Sequence, residues 1–127
     1  MSRARVLAVD DVATFRRTLH TLLRTNRRFQ LVGDAESGER ALAMLEDCAP
    51  HLVLMDIRMP GMGGIAAARA IKTRRPCTVV ALMSTTHPSE LSAEAATCGA
   101  NAIVWKPDLR AGVLEAIWLR HGPPDTT

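Results

Sequence analysis

The chain has 127 residues, 47% of them hydrophobic and 23% charged, which suits one soluble globular domain and leaves too little material for two cores. No apolar run approaches the roughly 20 residues that cross a bilayer, and Met1-Ser2-Arg3-Ala4-Arg5 leads into a strand pattern without a signal peptide's apolar stretch, so a cytoplasmic protein with no membrane contact is expected. The net charge of +3 comes from scattered arginines, and with 3% aromatics and no helix-turn-helix or RNA-module pattern this domain is not expected to bind nucleic acid directly.

In chain order, Val6-Leu7-Ala8-Val9 before Asp10-Asp11 reads as a strand buried on both faces. Phe15, Leu19, Leu22 and Leu23 then recur at helical spacing. Residues 30–35 form a second strand pattern, and Ser37 is placed to N-cap a helix carrying Ala41, Leu42 and Leu45. Leu52-Val53-Leu54-Met55 before Asp56 is the third strand, and the alanine-rich segment 64–73 the third helix. Val79-Val80-Ala81-Leu82-Met83 before Ser84 is the fourth strand, followed by alanine-rich helix over 88–98. Ile103-Val104-Trp105 before Lys106-Pro107 is the last strand, and Leu109, Val113, Ile117 and Trp118 mark the last helix.

Strict βα alternation with short loops predicts an α/β, flavodoxin-like (βα)5 three-layer sandwich with a parallel sheet in the order 2-1-3-4-5. The helix-breaking tail 122–127 is expected to lie outside a domain spanning 1–121, as a disordered end or the start of a linker. Cys48, Cys77 and Cys98 have no ligand or redox spacing and read as reduced, small core residues. His20, His51, His87 and His121 read as surface or helix-end residues, His87 alone falling near the chemistry. The basic clusters Arg24, Arg27, Arg28 and Lys72, Arg74, Arg75 fall where helices end and read as solvated ends that suit the helix dipole.

That chemistry follows from the strand ends. In a parallel sheet Asp10-Asp11, Asp56, Ser84 and Lys106 gather on one edge, and adjacent acids in one cleft call for a cation between them. Mg²⁺ suits an all-oxygen donor set. An aspartate next to it is able to attack phosphorus and form an acyl phosphate, Lys106 to neutralise a phosphoryl oxygen, and Ser84 to donate a hydrogen bond to another. The D-x-D of haloacid-dehalogenase-like phosphatases is not met by Asp10-Asp11-Val12, and the G-x-G-x-x-G of dinucleotide-binding domains is missing.

Over residues 4–121 the sequence resembles the receiver domain of bacterial two-component response regulators. The resemblance is carried by Arg5-Val6-Leu7-Ala8-Val9-Asp10-Asp11, by Met55-Asp56-Ile57-Arg58-Met59-Pro60-Gly61-Met62, and by Gly99-Ala100-Asn101-Ala102-Ile103-Val104-Trp105-Lys106-Pro107. It implies that a sensor histidine kinase phosphorylates Asp56. It also implies that Asp11 and Asp56 hold Mg²⁺ with the backbone carbonyl of Arg58, that Asp10 assists through water, that Lys106 contacts the phosphoryl group, and that Lys106-Pro107 is a cis peptide. Phe15-Arg16, residues 29–35 and Gly38-Glu39-Arg40-Ala41-Leu42 look most like regulators with a LuxR-type DNA-binding output domain. That implies either a stand-alone receiver acting on an effector protein or one excised from a longer regulator whose DNA-binding domain is missing. The last strand and its flanking helices, with Leu91, Val113 and Trp118, are the surface such receivers use for homodimers or partners. The alternative is a receiver acting as a phosphorylation-independent interaction module.

Departures from the family pattern sharpen this expectation. Ser84, Thr85 and Thr86 are consecutive; the register from Lys106 selects Ser84, with Thr85 facing away and Thr86 able to rejoin if the loop turns. Ile103 stands where the family usually has Tyr or Phe, and Trp105, two residues on, shares its face of the strand. Gly63 stands where an acid commonly caps the third helix. Arg58 and Thr86 occupy positions that tune dephosphorylation in the family.

Overall fold

The computed structural model describes residues 3–123. Its elements are β1 (Ala4–Val9), α1 (Ala13–Arg24), β2 (Phe29–Ala35), α2 (Gly38–Cys48), β3 (Leu52–Asp56), α3 (Gly63–Arg74), β4 (Val79–Ser84), α4 (Ala93–Thr97), β5 (Ala102–Trp105) and α5 (Ala111–His121). All strand pairs are parallel, and the order β2-β1-β3-β4-β5 matches the expected topology. Residues 124–127 of the expected tail lie outside the described residues.

Sheet alternation sorts the apolar residues into two cores. Leu7, Val9, Val53, Met55, Val80 and Leu82 point to one face, under Ala41 and Leu45 of α2, Ala67, Ala68 and Ile71 of α3, and Ala95 of α4. Val6, Ala8, Leu52, Leu54, Ala81 and Met83 point to the other, under Leu19 and Leu23 of α1 and Leu114 of α5. The central strands β3 and β4 are therefore buried along their whole length, which is why their sequences are continuously apolar rather than alternating. Ser37 caps α2 as expected, its side chain accepting the Arg40 N–H.

Several local expectations fail, each for a physical reason. Residues 88–98 do not form one helix. Pro88–Glu90 make a single 3-10 turn, Leu91 is extended, and α4 is only five residues long, with Ala95 its one buried residue. Leu109 lies ahead of α5, whose buried contact is Leu114. Cys98 is buried and Cys48 partly so, but Cys77 is exposed in the turn after α3. Lys72 is not a solvated helix end, because its Nζ donates to Pro76 O (2.9 Å), Thr78 O (2.7 Å) and Asn101 Oδ1 (3.0 Å). It thereby ties the α3–β4 turn to the start of β5. The surface reading of His20 and His51 holds, His20 lying half-exposed beside Asp34 Oδ2 at 3.1 Å and exposed His51 accepting the Arg5 N–H at 3.0 Å.

The start of α3 lies against the end of β3. The Gly64 N–H donates to Ile57 O at 2.9 Å, and a Cβ on Gly64 would overlap the carbonyl oxygen of Asp56. Gly64→Ala is therefore expected to lower stability by roughly 2 kcal/mol or more through backbone displacement. Gly112→Ala, on a helix with nothing within 4 Å of the new methyl, should raise it by roughly 0.5 kcal/mol. Urea unfolding of the two variants measures the contrast.

Candidate functional site

The parallel sheet brings the ends of β1, β3, β4 and β5 to one edge. Asp10 follows β1 and is fully buried, Asp56 ends β3 at 5% exposure, Ser84 ends β4 at 4%, and Lys106 follows β5. Asp11 is exposed, and carboxylate oxygens of Asp10, Asp11 and Asp56 lie within 4.8 Å of one another. Lys106 Nζ reaches across the sheet to Asp10 Oδ2 at 2.6 Å and Asp56 Oδ1 at 3.3 Å. It also sits 4.1 Å from the centroid of the Phe15 ring, which covers it from α1. Asp10 Oδ1 accepts the Val12 N–H at 2.8 Å, fixing the turn that presents Asp11.

One ammonium faces three carboxylates, and the imbalance falls on Asp56. Burial, reinforced by Asp10, raises its pKa from 3.8 to about 6; Lys106 opposes the rise and Asp11 adds to it. A hard divalent cation beside Asp11 and Asp56 would relieve the same repulsion, and the purely carboxylate cluster has the donor chemistry for one. Arg58 lies two residues beyond Asp56, in the β3–α3 loop, with its side chain exposed.

Ser84, the hydroxyl selected by register, is buried at the end of β4. Ser84 Oγ donates to Thr86 O at 2.8 Å and accepts the Thr86 N–H at 2.9 Å, so it is closed onto the β4–α4 loop. Thr85 is exposed, as strand alternation requires, and its carbonyl accepts the Trp105 indole N–H at 3.2 Å. His87 meets the Trp105 ring edge-on, with centroids 5.2 Å apart; it belongs to this loop and not to the acidic cluster. Ile103 packs against the core on the α3/α4 side.

Two expectations are corrected. No cis peptide occurs among the described residues, so Lys106-Pro107 is trans. The segment turns as a 3-10 element, Leu109 donating to Lys106 O at 3.0 Å, and Pro107 occupies an early position where a missing N–H costs nothing. Gly63 is not a weak substitute for a capping acid. It has a φ of +74°, a left-handed conformation that glycine adopts without strain, and it follows the cap residue Met62. The acid comes from elsewhere: Glu39 Oε2 on α2 accepts the Met62 N–H at 3.2 Å. Sequence reasoning missed Glu39 because the two residues are 23 positions apart.

A parallel five-stranded α/β sandwich with three acids and a lysine on the carboxyl edge of its sheet is the arrangement that the resemblance to receiver domains implies. Residues 6–117 match the response regulator receiver domain family, and the chain belongs to that family. It is 38% identical over 99 residues to the protein-glutamate methylesterase/protein-glutamine glutaminase of Idiomarina loihiensis, a match covering 78% of this chain and 24% of that protein. The chain thus spans about a quarter of that relative's length. Among solved structures it is similar to a LuxR-family two-component response regulator from Aurantimonas (TM-score 0.82, 28% identity, 91% of this chain and 83% of that one). It is also similar to a chain of the CheX-CheY-BeF3-Mg complex from Borrelia burgdorferi (TM-score 0.76, 28% identity, 91% and 87%). The expected LuxR-type likeness is present, but it stands beside an equally evident likeness to methylesterase receivers. Among the described residues no helix is long and apolar enough to cross a membrane.

The raised pKa makes a pH-dependent prediction. The Asp56 charge costs the fold nothing below pH 3.8 and its full amount above about pH 6, a rise worth roughly 3 kcal/mol at most. Asp56→Asn should therefore stabilise the metal-free protein, by more at pH 8 than at pH 5. Urea midpoints of both proteins at the two pH values test this.

Proposed function

We propose that Asp56 is the phosphoacceptor of this receiver and that a sensor histidine kinase is its donor. The observation that carries the reading is the buried Asp56 carboxylate, held 3.3 Å from Lys106 and within 4.8 Å of two further acids. An Asp56 oxygen attacks the phosphorus of a phosphohistidine; the P–O bond forms, the P–N bond breaks, and the imidazole nitrogen leaves with the electron pair. Asp11, Asp56 and the Arg58 carbonyl are the groups that would hold Mg²⁺, with Asp10 assisting through water. The bound ion supplies charge cancellation on the phosphoryl oxygens. Lys106 neutralises a further oxygen, exchanging part of its contact with the two carboxylates for it. A cytoplasmic location accords with a kinase donor.

Ser84 is the sensor in this reading. To donate to the acyl phosphate its hydroxyl has to leave Thr86, and the loop it leaves is the one that Trp105 holds through Thr85. Trp105, rather than Ile103, then carries the change to the outer surface of β5, where a homodimer, an effector protein or an attached output domain reads it. The methylesterase and LuxR-family similarities supply two kinds of output domain for such a signal.

Acetyl phosphate with Mg²⁺ should add one phosphoryl group to the wild type by intact mass, and none to Asp56→Asn or in the presence of EDTA. In a Trp118→Phe background the Trp105 emission should change on phosphorylation, and Ser84→Ala should abolish that change while leaving the mass gain. A wild type that takes up no phosphoryl group supports the phosphorylation-independent interaction module instead.

A further inference from the structure

Asp10 has every polar group engaged. Its N–H donates to Ala35 O on β2 at 3.0 Å, Oδ1 accepts the Val12 N–H, and Oδ2 takes the Lys106 ammonium. Its carbonyl oxygen accepts a 2.6 Å hydrogen bond from Arg16 Nη1, a side chain on the first turns of α1. That carbonyl belongs to the peptide joining Asp10 to Asp11. Whatever fixes it fixes the plane from which the exposed Asp11 carboxylate projects.

Arg16 is itself held. Its Nε lies 3.4 Å from Asp34 Oδ2 on β2, and His20 Nε2, one turn further along α1, lies 3.1 Å from the same oxygen. The Arg16 side chain is 19% exposed against 40% for Asp34, so the guanidinium spans from a half-open carboxylate inward to the β1–α1 turn. The planar fork meets its two acceptors through two separate nitrogens, Nη1 on the Asp10 carbonyl and Nε toward Asp34, whereas a lysine would have to serve both from one.

We propose that Arg16, oriented by Asp34, is a positioning residue for the metal site: it clamps the Asp10-Asp11 peptide so that Asp11 faces Asp56. This inference rests on the Mg²⁺ reading given above. It goes beyond that reading by assigning a role to a guanidinium that touches neither the ion nor the phosphoryl group. Partners that orient ligands in this way typically govern metal affinity by about tenfold or more.

The test is the Mg²⁺-induced rise in thermal midpoint, titrated without any phosphodonor, for wild type, Arg16→Met, Arg16→Lys and Asp34→Asn. The expected result is an apparent Mg²⁺ affinity about tenfold weaker in Arg16→Met. Arg16→Lys should lie closer to Arg16→Met than to wild type, and Asp34→Asn should fall between them. A lower metal-free midpoint with unchanged Mg²⁺ affinity would mean a purely structural Arg16 and overturn the proposal. So would wild-type affinity in Arg16→Lys, which would remove the fork from the account. Should Arg16→Met not fold, Arg16→Lys and Asp34→Asn decide the matter alone. A wild type that responds while the variants respond identically overturns this inference only; a wild type without any response overturns the metal reading as well.

Discussion

Lys106 is the cation around which the carboxyl edge of the sheet is assembled. From the end of β5 it reaches over β4 to carboxylates on β1 and β3, at 2.6 Å and 3.3 Å. Without it, two buried carboxylates would face each other uncompensated, and breaking such a pairing costs about 3–5 kcal/mol. With it, the edge still carries more negative than positive charge, and burial, reinforced by Asp10, keeps the Asp56 pKa raised to about 6. Lys106 thus makes the acidic cluster tolerable without cancelling its charge, and the carboxylates that remain have the donor chemistry for a hard divalent cation. In the proposed function, a phosphoryl group adds negative charge beside the one ammonium that already bridges two carboxylates.

The rest of the domain holds that edge still. Gly64 lets α3 approach the Asp56 carbonyl, Glu39 caps the loop between them from α2, and Arg16 reaches the Asp10 carbonyl from α1. Lys72 works at the opposite end of the strands, joining the α3–β4 turn to Asn101 just before β5. In contrast, the stretch after Ser84 is lightly anchored. It consists of a 3-10 turn and a five-residue helix, tied by Ser84 to Thr86, by the Trp105 indole to Thr85, by an edge contact with His87, and by Leu91, Ala95 and Cys98 against the core.

That division explains what the sequence could reveal. The strands are legible because β3, β4 and β1 from Val6 on are buried on both faces and have to be apolar, and the polar residues at their ends stand out against that background. That Asp10, Asp11, Asp56 and Lys106 lie together is legible in the sequence because parallel pairing converts strand ends into neighbours. Glu39, Arg16 and Lys72 were not found, since each acts on a residue brought near only by tertiary packing, and a surface helix offers many charged side chains of the same kind. Helix over 88–98 was overestimated because alanine content outweighed Pro88 and the lack of buried anchors. The cis peptide expected at Lys106-Pro107 came from resemblance alone, and the local 3-10 turn is satisfied with trans geometry.

In the proposed function this edge directs a phosphoryl group to one carboxylate among three. Borohydride reduction after treatment with acetyl phosphate and Mg²⁺, followed by peptide mapping, reads the position directly, because an acyl phosphate is reduced to the alcohol and its aspartate becomes homoserine. Homoserine at position 56 alone is the predicted result. Homoserine at position 10 or 11, or at no position, would contradict the account.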